Sequence, residues 1–168
     1  MKNDRENLLI EKINTDLKIK ATIQRQKRIW INIKENNLIK TCNWLKKQGF
    51  DHLSAISVTD LIEEEKFEIT YHLWSYQNKI LLTIKTKIDR KKPVIQSVIP
   101  IYNENAQIHE RELHELFGVK FQGNPDLTPL FLEDWHNTPP FKKDFNWRDY
   151  VKKDLYDKKN ERETAYYD

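Results

Sequence analysis

The sequence predicts an α+β fold: an antiparallel sheet of about four strands covered by helices, followed by an extended proline- and aromatic-rich C-terminal segment. Three observations carry this. Strict alternation of apolar and polar residues runs from Phe67 to Trp74 and again from Ile80 to Ile88, on either side of a Gln77-Asn78 turn. Apolar positions three or four residues apart recur before, between and after those strands. From Phe121 to Phe141, Pro125, Pro129, Pro139 and Pro140 forbid long regular elements. The expected organisation is a domain over residues 1–118 and a partner-wrapping segment with a charged tail over 119–168.

Leu9, Ile13 and Leu17 lie four residues apart, so residues 7–17 are read as a short helix with one apolar stripe. Between Ala21 and Ile33 the pattern becomes alternation, with Ile29, Ile31 and Ile33 on one face and Trp30 on the other, which predicts a strand. Asn36 or Asn37 is a candidate cap for a helix ending at Gly49, with Leu38, Cys42 and Leu45 inward and Lys46 and Lys47 in its last turn. Residues 50–60 read as a strand, with Leu53 and Ala55 on one face and Ile56 and Val58 on the other. Residues 94–102, interrupted by Pro100, are expected to be extended. Helical spacing then runs from Glu104 through Leu113 and Phe117 to Gly118.

The bulk numbers exclude several functions. With 168 residues the chain is the size of one domain, and its 29 basic and 26 acidic side chains are largely intermixed, so a charge of only +3 is a weak argument for nucleic acid, which needs a basic stripe. Three glycines leave no glycine-rich phosphate cradle. Cys42 is the sole cysteine, which excludes an intrachain disulfide or a cysteine-ligated cluster, and its expected role is structural burial in a reducing compartment. No apolar run approaches the roughly 20 residues that span a bilayer, and the first residues lead into a polar amphipathic stretch rather than a signal core.

Carboxylate chemistry is the main enzymatic alternative. On a helix Glu110 and Glu112 diverge by about 200° while Glu112 and Glu115 share a side, so the three converge only with help from elsewhere. His109 and His114 are five residues apart, not the four of a zinc-hydrolase helix, and a metal here would need His136 or carboxylates from the sheet. Arg111, between acids, reads as a hub whose planar fork holds carboxylates or carbonyls. A small carboxylate-dependent enzyme and a nucleic-acid binder led by Lys91 and Lys92 are the two competing functions.

Residues 110–127 read Glu-Arg-Glu-Leu-His-Glu-Leu-Phe-Gly-Val-Lys-Phe-Gln-Gly-Asn-Pro-Asp-Leu, and residues 140–145 read Pro-Phe-Lys-Lys-Asp-Phe. Together these closely resemble the signature of the 30 kDa subunit family of respiratory complex I, the NADH-quinone oxidoreductase. The short chain makes it look closer to the counterparts in membrane-bound energy-converting nickel-iron hydrogenases or F(420)H(2) dehydrogenase complexes. Glu110, Arg111, Glu112, Gly118, Gly123, Pro125, Asp126, Leu127, Pro140, Lys143, Asp144 and Phe145 match the family pattern. With Glu115, Phe117, Trp135 and Lys142, they are expected to shape an inter-subunit surface.

There are departures. Glu115 stands where the family usually has Asp, Asn124 where quinone-linked members commonly have His, Thr128-Pro129 replaces a basic pair, and Lys142 replaces Arg. The resemblance implies a cofactor-free assembly subunit, not catalytic by itself. It would dock on the large catalytic and iron-sulfur subunits that hold the clusters and the quinone or nickel-iron site. It also implies a peripheral place on the cytoplasmic side of the membrane, reached through those partners, with no nucleic acid bound.

Overall fold

The computed structural model describes residues 4–132, 135 and 138–156. Its elements run in the order α1 (Asp4–Lys12), β1 (Ala21–Arg25), β2 (Arg28–Ile33), α2 (Leu38–Lys47), β3 (His52–Leu61), β4 (Lys66–Ser75), β5 (Ile80–Asp89), β6 (Val94–Gln96), α3 (Ile99–Phe117), β7 (Lys120–Gln122) and α4 (Trp147–Val151). The fold is α+β, but the expected four antiparallel strands become a five-stranded mixed sheet of order β1-β2-β5-β4-β3, with β2 and β5 parallel. A second, two-stranded parallel sheet joins β6 to β7, with α3 as the crossover.

The extra strand comes from one residue. Lys27 adopts a left-handed φ of 62°, which folds the stretch expected as one strand into the hairpin β1–β2, with Arg25 opposite Arg28. Lysine carries no sequence signal for that turn, whereas Asn-Gly or Gly-Gly would have. The parallel pair has a similar origin: α2 carries the chain across the sheet face, so β2 and β5 meet although α2, β3 and β4 separate them in the chain.

The β4–β5 hairpin follows its alternation closely. Phe67, Ile69, Tyr71 and Leu73 of β4 and Ile80, Leu82, Ile84 and Ile88 of β5 are buried on one face. At the turn, the Ser75 hydroxyl accepts from the Asn78 backbone N–H at 3.1 Å, while Asn78 Nδ2 donates to the Gln48 carbonyl at 3.2 Å, tying the hairpin to the end of α2. In β3 a bulge between Leu53 and Ala55 breaks the period, so Leu53 and Ile56 both point inward and the expected Leu53/Ala55 face is corrected.

The helices close the core over the same face. Leu38, Cys42 and Leu45 of α2 are fully buried, and burial pushes the Cys42 thiol up to about 12, which leaves it an inert apolar group. Asn37 precedes α2, although its side chain makes no capping bond. Helix α1 begins earlier than expected and loosens into a wider turn at Ile13–Leu17, which still buries Leu9 and Ile13. Helix α3 also begins early, with Pro100 in its first turn, where a missing N–H costs nothing. Val119 and Phe121 lie in the core, so packing continues past the expected boundary at residue 118. No described helix is long and apolar enough to cross a membrane.

Within α3, Asn103 breaks the helix with φ 52° and ψ −136°, a conformation that costs an L-residue of order 1–3 kcal/mol. Lys46 Nζ donates to the Ile101 carbonyl that this break leaves behind. Asn103→Gly should therefore raise unfolding stability by about 0.5–1 kcal/mol after glycine's own chain-entropy cost. Urea denaturation measures this, and an unchanged or lower midpoint would contradict the strain.

Candidate functional site

The signature residues sit on the second half of α3 and on the segment it holds. Three acidic side chains point three different ways. Glu110 is fully buried: it accepts from the Ser97 hydroxyl at 2.7 Å, the Val98 N–H at 2.8 Å and Asn124 Nδ2 at 2.9 Å. Burial raises its proton affinity despite these three donors, so desolvation outweighs the hydrogen bonds. Glu112 lies on a half-exposed side, with a carboxylate oxygen 3.9 Å from His109 Nδ1. Glu115 reaches the loop ahead, accepting from the backbone N–H groups of Leu130, Phe131 and Leu132 at 3.1, 3.0 and 2.5 Å.

Each carboxylate thus has its own partners: Glu110 those of the buried turn, Glu112 His109, and Glu115 the amides of residues 130–132. Among the described residues no group of three or more His, Cys, Asp and Glu side chains is placed to hold a metal ion. His136, considered above as a ligand, lies outside the described residues, as does the tail beyond residue 156.

What α3 does with its polar side chains is hold the segment 124–132. Gln107, Arg111 and Glu115 are four residues apart and so form one stripe along the helix. Gln107 Nε2 donates to the Asp126 carbonyl at 2.7 Å. Arg111 donates from Nε to the Thr128 carbonyl at 3.1 Å and from Nη2 to the Thr128 hydroxyl at 3.1 Å and the Pro129 carbonyl at 3.0 Å. The fork expected to be a hub thus takes mainly carbonyls, while Glu115 takes amides.

The turn itself is built from Gly123, at φ 94°, and the side chains that follow. Asn124 Oδ1 accepts from the Asp126 N–H at 2.9 Å, and Asp126 Oδ1 accepts from the Thr128 N–H at 2.9 Å and its hydroxyl at 2.7 Å. The Thr128 hydroxyl bond holds Asp126 below the usual carboxylate range. Pro125 is exposed, and Leu127 packs partly buried against the core.

The second held segment is 139–145. Gly118 ends α3 at φ 77°, and a Cβ there would stand 3.1 Å from Pro139 Cγ, so glycine serves both the backbone and the close approach. The Phe141 N–H donates to the Leu116 carbonyl at 3.0 Å. Phe117 sits edge-on between Phe67 at 6.0 Å and Phe141 at 5.7 Å, and Lys142 Nζ lies 5.9 Å from the Phe67 ring centre. Pro140 is half-buried in this turn.

Two residues of this site carry no sequence signal: Arg90 and Asp60. Arg90 Nε and Nη2 donate to Asp60 at 2.7 and 2.9 Å, while Nη1 and Nη2 donate to Asp144 at 3.0 and 2.8 Å. Asp60 also accepts from the Lys143 N–H at 2.9 Å. The Arg90 hydrogen bonds hold Asp60 and Asp144 below the usual carboxylate range, and Asp60 in turn raises Arg90. Asp60 lies 83 residues before Lys143 in the chain, so only folding brings the sheet end beside the motif. Trp135 completes the segment by packing on Phe145 at 5.6 Å and Tyr150 at 4.7 Å.

The polar side chains of α3 and the Arg90 clamp hold the chain's own loops, while Phe131, Phe141, Trp147 and Tyr156 are exposed. Residues 31–151 match the family described as the respiratory-chain NADH dehydrogenase, 30 kDa subunit, and the chain belongs to that family. It is 35% identical over 127 residues to a subunit of the F(420)H(2) dehydrogenase of Methanosarcina mazei, covering 74% of this chain and 80% of that one. It is 35% identical over 100 residues to a subunit of the NADH-quinone oxidoreductase of Moorella thermoacetica, covering 60% of this chain and 67% of the other. Among solved structures, a chain of the membrane-bound sulfane sulfur reductase, an archaeal respiratory membrane complex, matches with a TM-score of 0.81 and 25% identity over 93% of both chains. The protein is thus an oxidoreductase-complex subunit of the NADH dehydrogenase type, associated by family with multi-subunit electron-transport assemblies.

Three measurements probe the site. Arg90→Met leaves Asp60 buried without its counter-ion and should cost about 3 kcal/mol in urea unfolding. Because the folded pKa of Asp60 is depressed, its contribution is present above the unfolded carboxylate value and is lost as pH falls through the folded one. The wild type should therefore lose stability below about pH 4 more steeply than Asp60→Asn. Separately, Glu115→Gln should speed amide hydrogen exchange at residues 130–132 at least tenfold while the exchange of β4 and β5 stays unchanged.

Proposed function

We propose that this chain is a cofactor-free structural subunit of the peripheral arm of a membrane-bound hydrogenase or respiratory dehydrogenase complex. It docks on the large catalytic subunit and the neighbouring iron-sulfur subunit, which hold the clusters and the nickel-iron or quinone site. It is peripheral to the membrane, on the cytoplasmic side, and is attached through those partners.

The observation that carries this reading is the set of exposed aromatic side chains on, and just after, the held stretches 124–132 and 139–145. Phe131 is 64% exposed, Phe141 58%, Trp147 60% and Tyr156 81%. Large apolar side chains held in place lose little entropy when a partner covers them, which is how interface anchors work. Glu115, Arg111 and the Arg90 clamp supply the fixing, and Trp135 with Phe145 supports the far end. Relatives named as subunits of redox complexes support the same reading.

The test is assembly. Phe131→Ser, Phe141→Ser and Trp147→Ser combined should leave the isolated chain folded by circular dichroism yet reduce its co-purification with the large subunit from detergent-solubilised membranes at least tenfold. Full retention of the triple variant in the complex would overturn the reading. So would metal-dependent visible absorbance in the purified wild-type chain.

A further inference from the structure

The sheet is incomplete at one corner. Strand β2 ends at Ile33, paired with Thr86, while β5 runs on to Asp89. Beyond that pair no strand among the described residues is paired with residues 87–89 on the β2 side, and the turn after β2 and the start of β6 approach there without pairing. The gap is a groove of about 890 Å³, walled by the chain after β2, the ends of β4 and β5, and Val94 at the start of β6.

Its charge is unbalanced. Five lysines line it, Lys34, Lys66, Lys85, Lys87 and Lys92, against Glu35, Glu68 and Asp89. Lys85 is paired with Glu68 at 2.8 Å and Lys87 with Glu64 at 2.5 Å, and Asp89 accepts from the backbone N–H groups of Lys91 and Lys92 at 2.8 Å each. That leaves Lys34, Lys66 and Lys92 with no ion pair among the described residues, against two carboxylates that no cation pairs, Glu35 and Asp89, the latter near enough to Lys66 to feel its charge. The lining also includes Ile33, partly buried, Val94, which is exposed, and Thr86, whose buried hydroxyl has no hydrogen-bond partner among the described residues.

We propose that this groove is the docking site for an acidic, extended segment of a partner protein. That segment lies beside the free edge of β5, sets carboxylates against Lys34, Lys66 and Lys92, and seats an apolar side chain against Ile33 and Val94. An exposed strand end is a template for an added strand, and pockets beside it select side chains. A compact polyanion such as phosphate suits the groove less well. Glu35, Glu68 and Asp89 repel it, and it has nothing to place on the apolar wall, whereas a peptide brings N–H donors and an apolar side chain together with its carboxylates. The groove shares no residue with the aromatic row of residues 131–156, so this site and the proposed assembly role can fail independently.

The probe is the capped pentapeptide Glu-Glu-Leu-Glu-Glu, titrated into the isotope-labelled full chain while backbone amide signals are followed. Saturable shifts confined to residues 33–36, 66–68 and 85–94, weakened at least fivefold between low and moderate salt, are the expected result. Lys34→Glu, Lys66→Glu and Lys92→Glu combined should weaken binding at least tenfold, and Lys20→Glu with Lys40→Glu should not. Val94→Asp, at an exposed position, provides a milder variant and should weaken binding at least threefold. Replacing the probe's leucine with serine should weaken it as well. The absence of saturable shifts, equal shifts with inorganic phosphate or a DNA duplex, or indifference to Val94→Asp and to the charge reversal would overturn the proposal.

Discussion

The buried Glu110 carboxylate ties together the two ends of the β6–α3–β7 unit, from which the described part of the C-terminal segment is held. Taking a carboxylate out of water costs several kcal/mol, and hydrogen bonds to it offset that cost only when they are complete. The three donors come from separate places: Ser97 and Val98 before α3, and Asn124 after β7. All three are satisfied together in the register observed. Burial outweighs the three donors and raises the proton affinity of Glu110, so the charged group is disfavoured in place, and losing a donor would leave it less well satisfied still. Glu110 therefore specifies a geometry more than it adds stability.

From that fixed helix the rest of the segment is held because its backbone groups find partners. Pro125, Pro129, Pro139 and Pro140 have no N–H to satisfy, which lightens the demand of a stretch lacking regular structure. The amides of residues 130–132 go to Glu115, that of Phe141 to the end of α3, and that of Lys143 to Asp60. Carbonyls of the same stretch go to Gln107 and Arg111. Asn124 and Glu115, both departures from the usual family residues, are part of this scheme: Asn124 supplies both a donor to Glu110 and an acceptor for the turn, and Glu115 spans three consecutive amides. With these backbone groups partnered, Phe131 and Phe141 are left exposed on the held stretches.

The same division shows in the kinds of charge the protein displays. Arg90, Asp60 and Asp144 form a clamp whose arginine and inner carboxylate are largely shielded from water, so it fixes the C-terminal segment against the sheet end. The lysines beside β5 are instead solvent-facing and partly uncompensated, which suits attraction at longer range. One set of charges holds the chain to itself and the other is available to something else.

Periodicity determined, from the sequence alone, the helix over α2, the hairpin of β4 and β5, the end of α3 at Gly118 and the apolar character of the C-terminal segment. Those features repeat within a few residues, so the local pattern contains the whole cause. The resemblance carried by residues 110–127 and 140–145 located the family for the same reason. Tertiary structure alone decided the left-handed turn at Lys27, the bulge after Leu53 and the parallel pairing of β2 with β5. It also decided that Glu110 is internal while Glu115 reaches a loop, and that Arg90 and Asp60 meet Asp144. Each of these depends on a partner far along the chain or on a backbone conformation that the residue tolerates without advertising, and only the packed core selects among the alternatives.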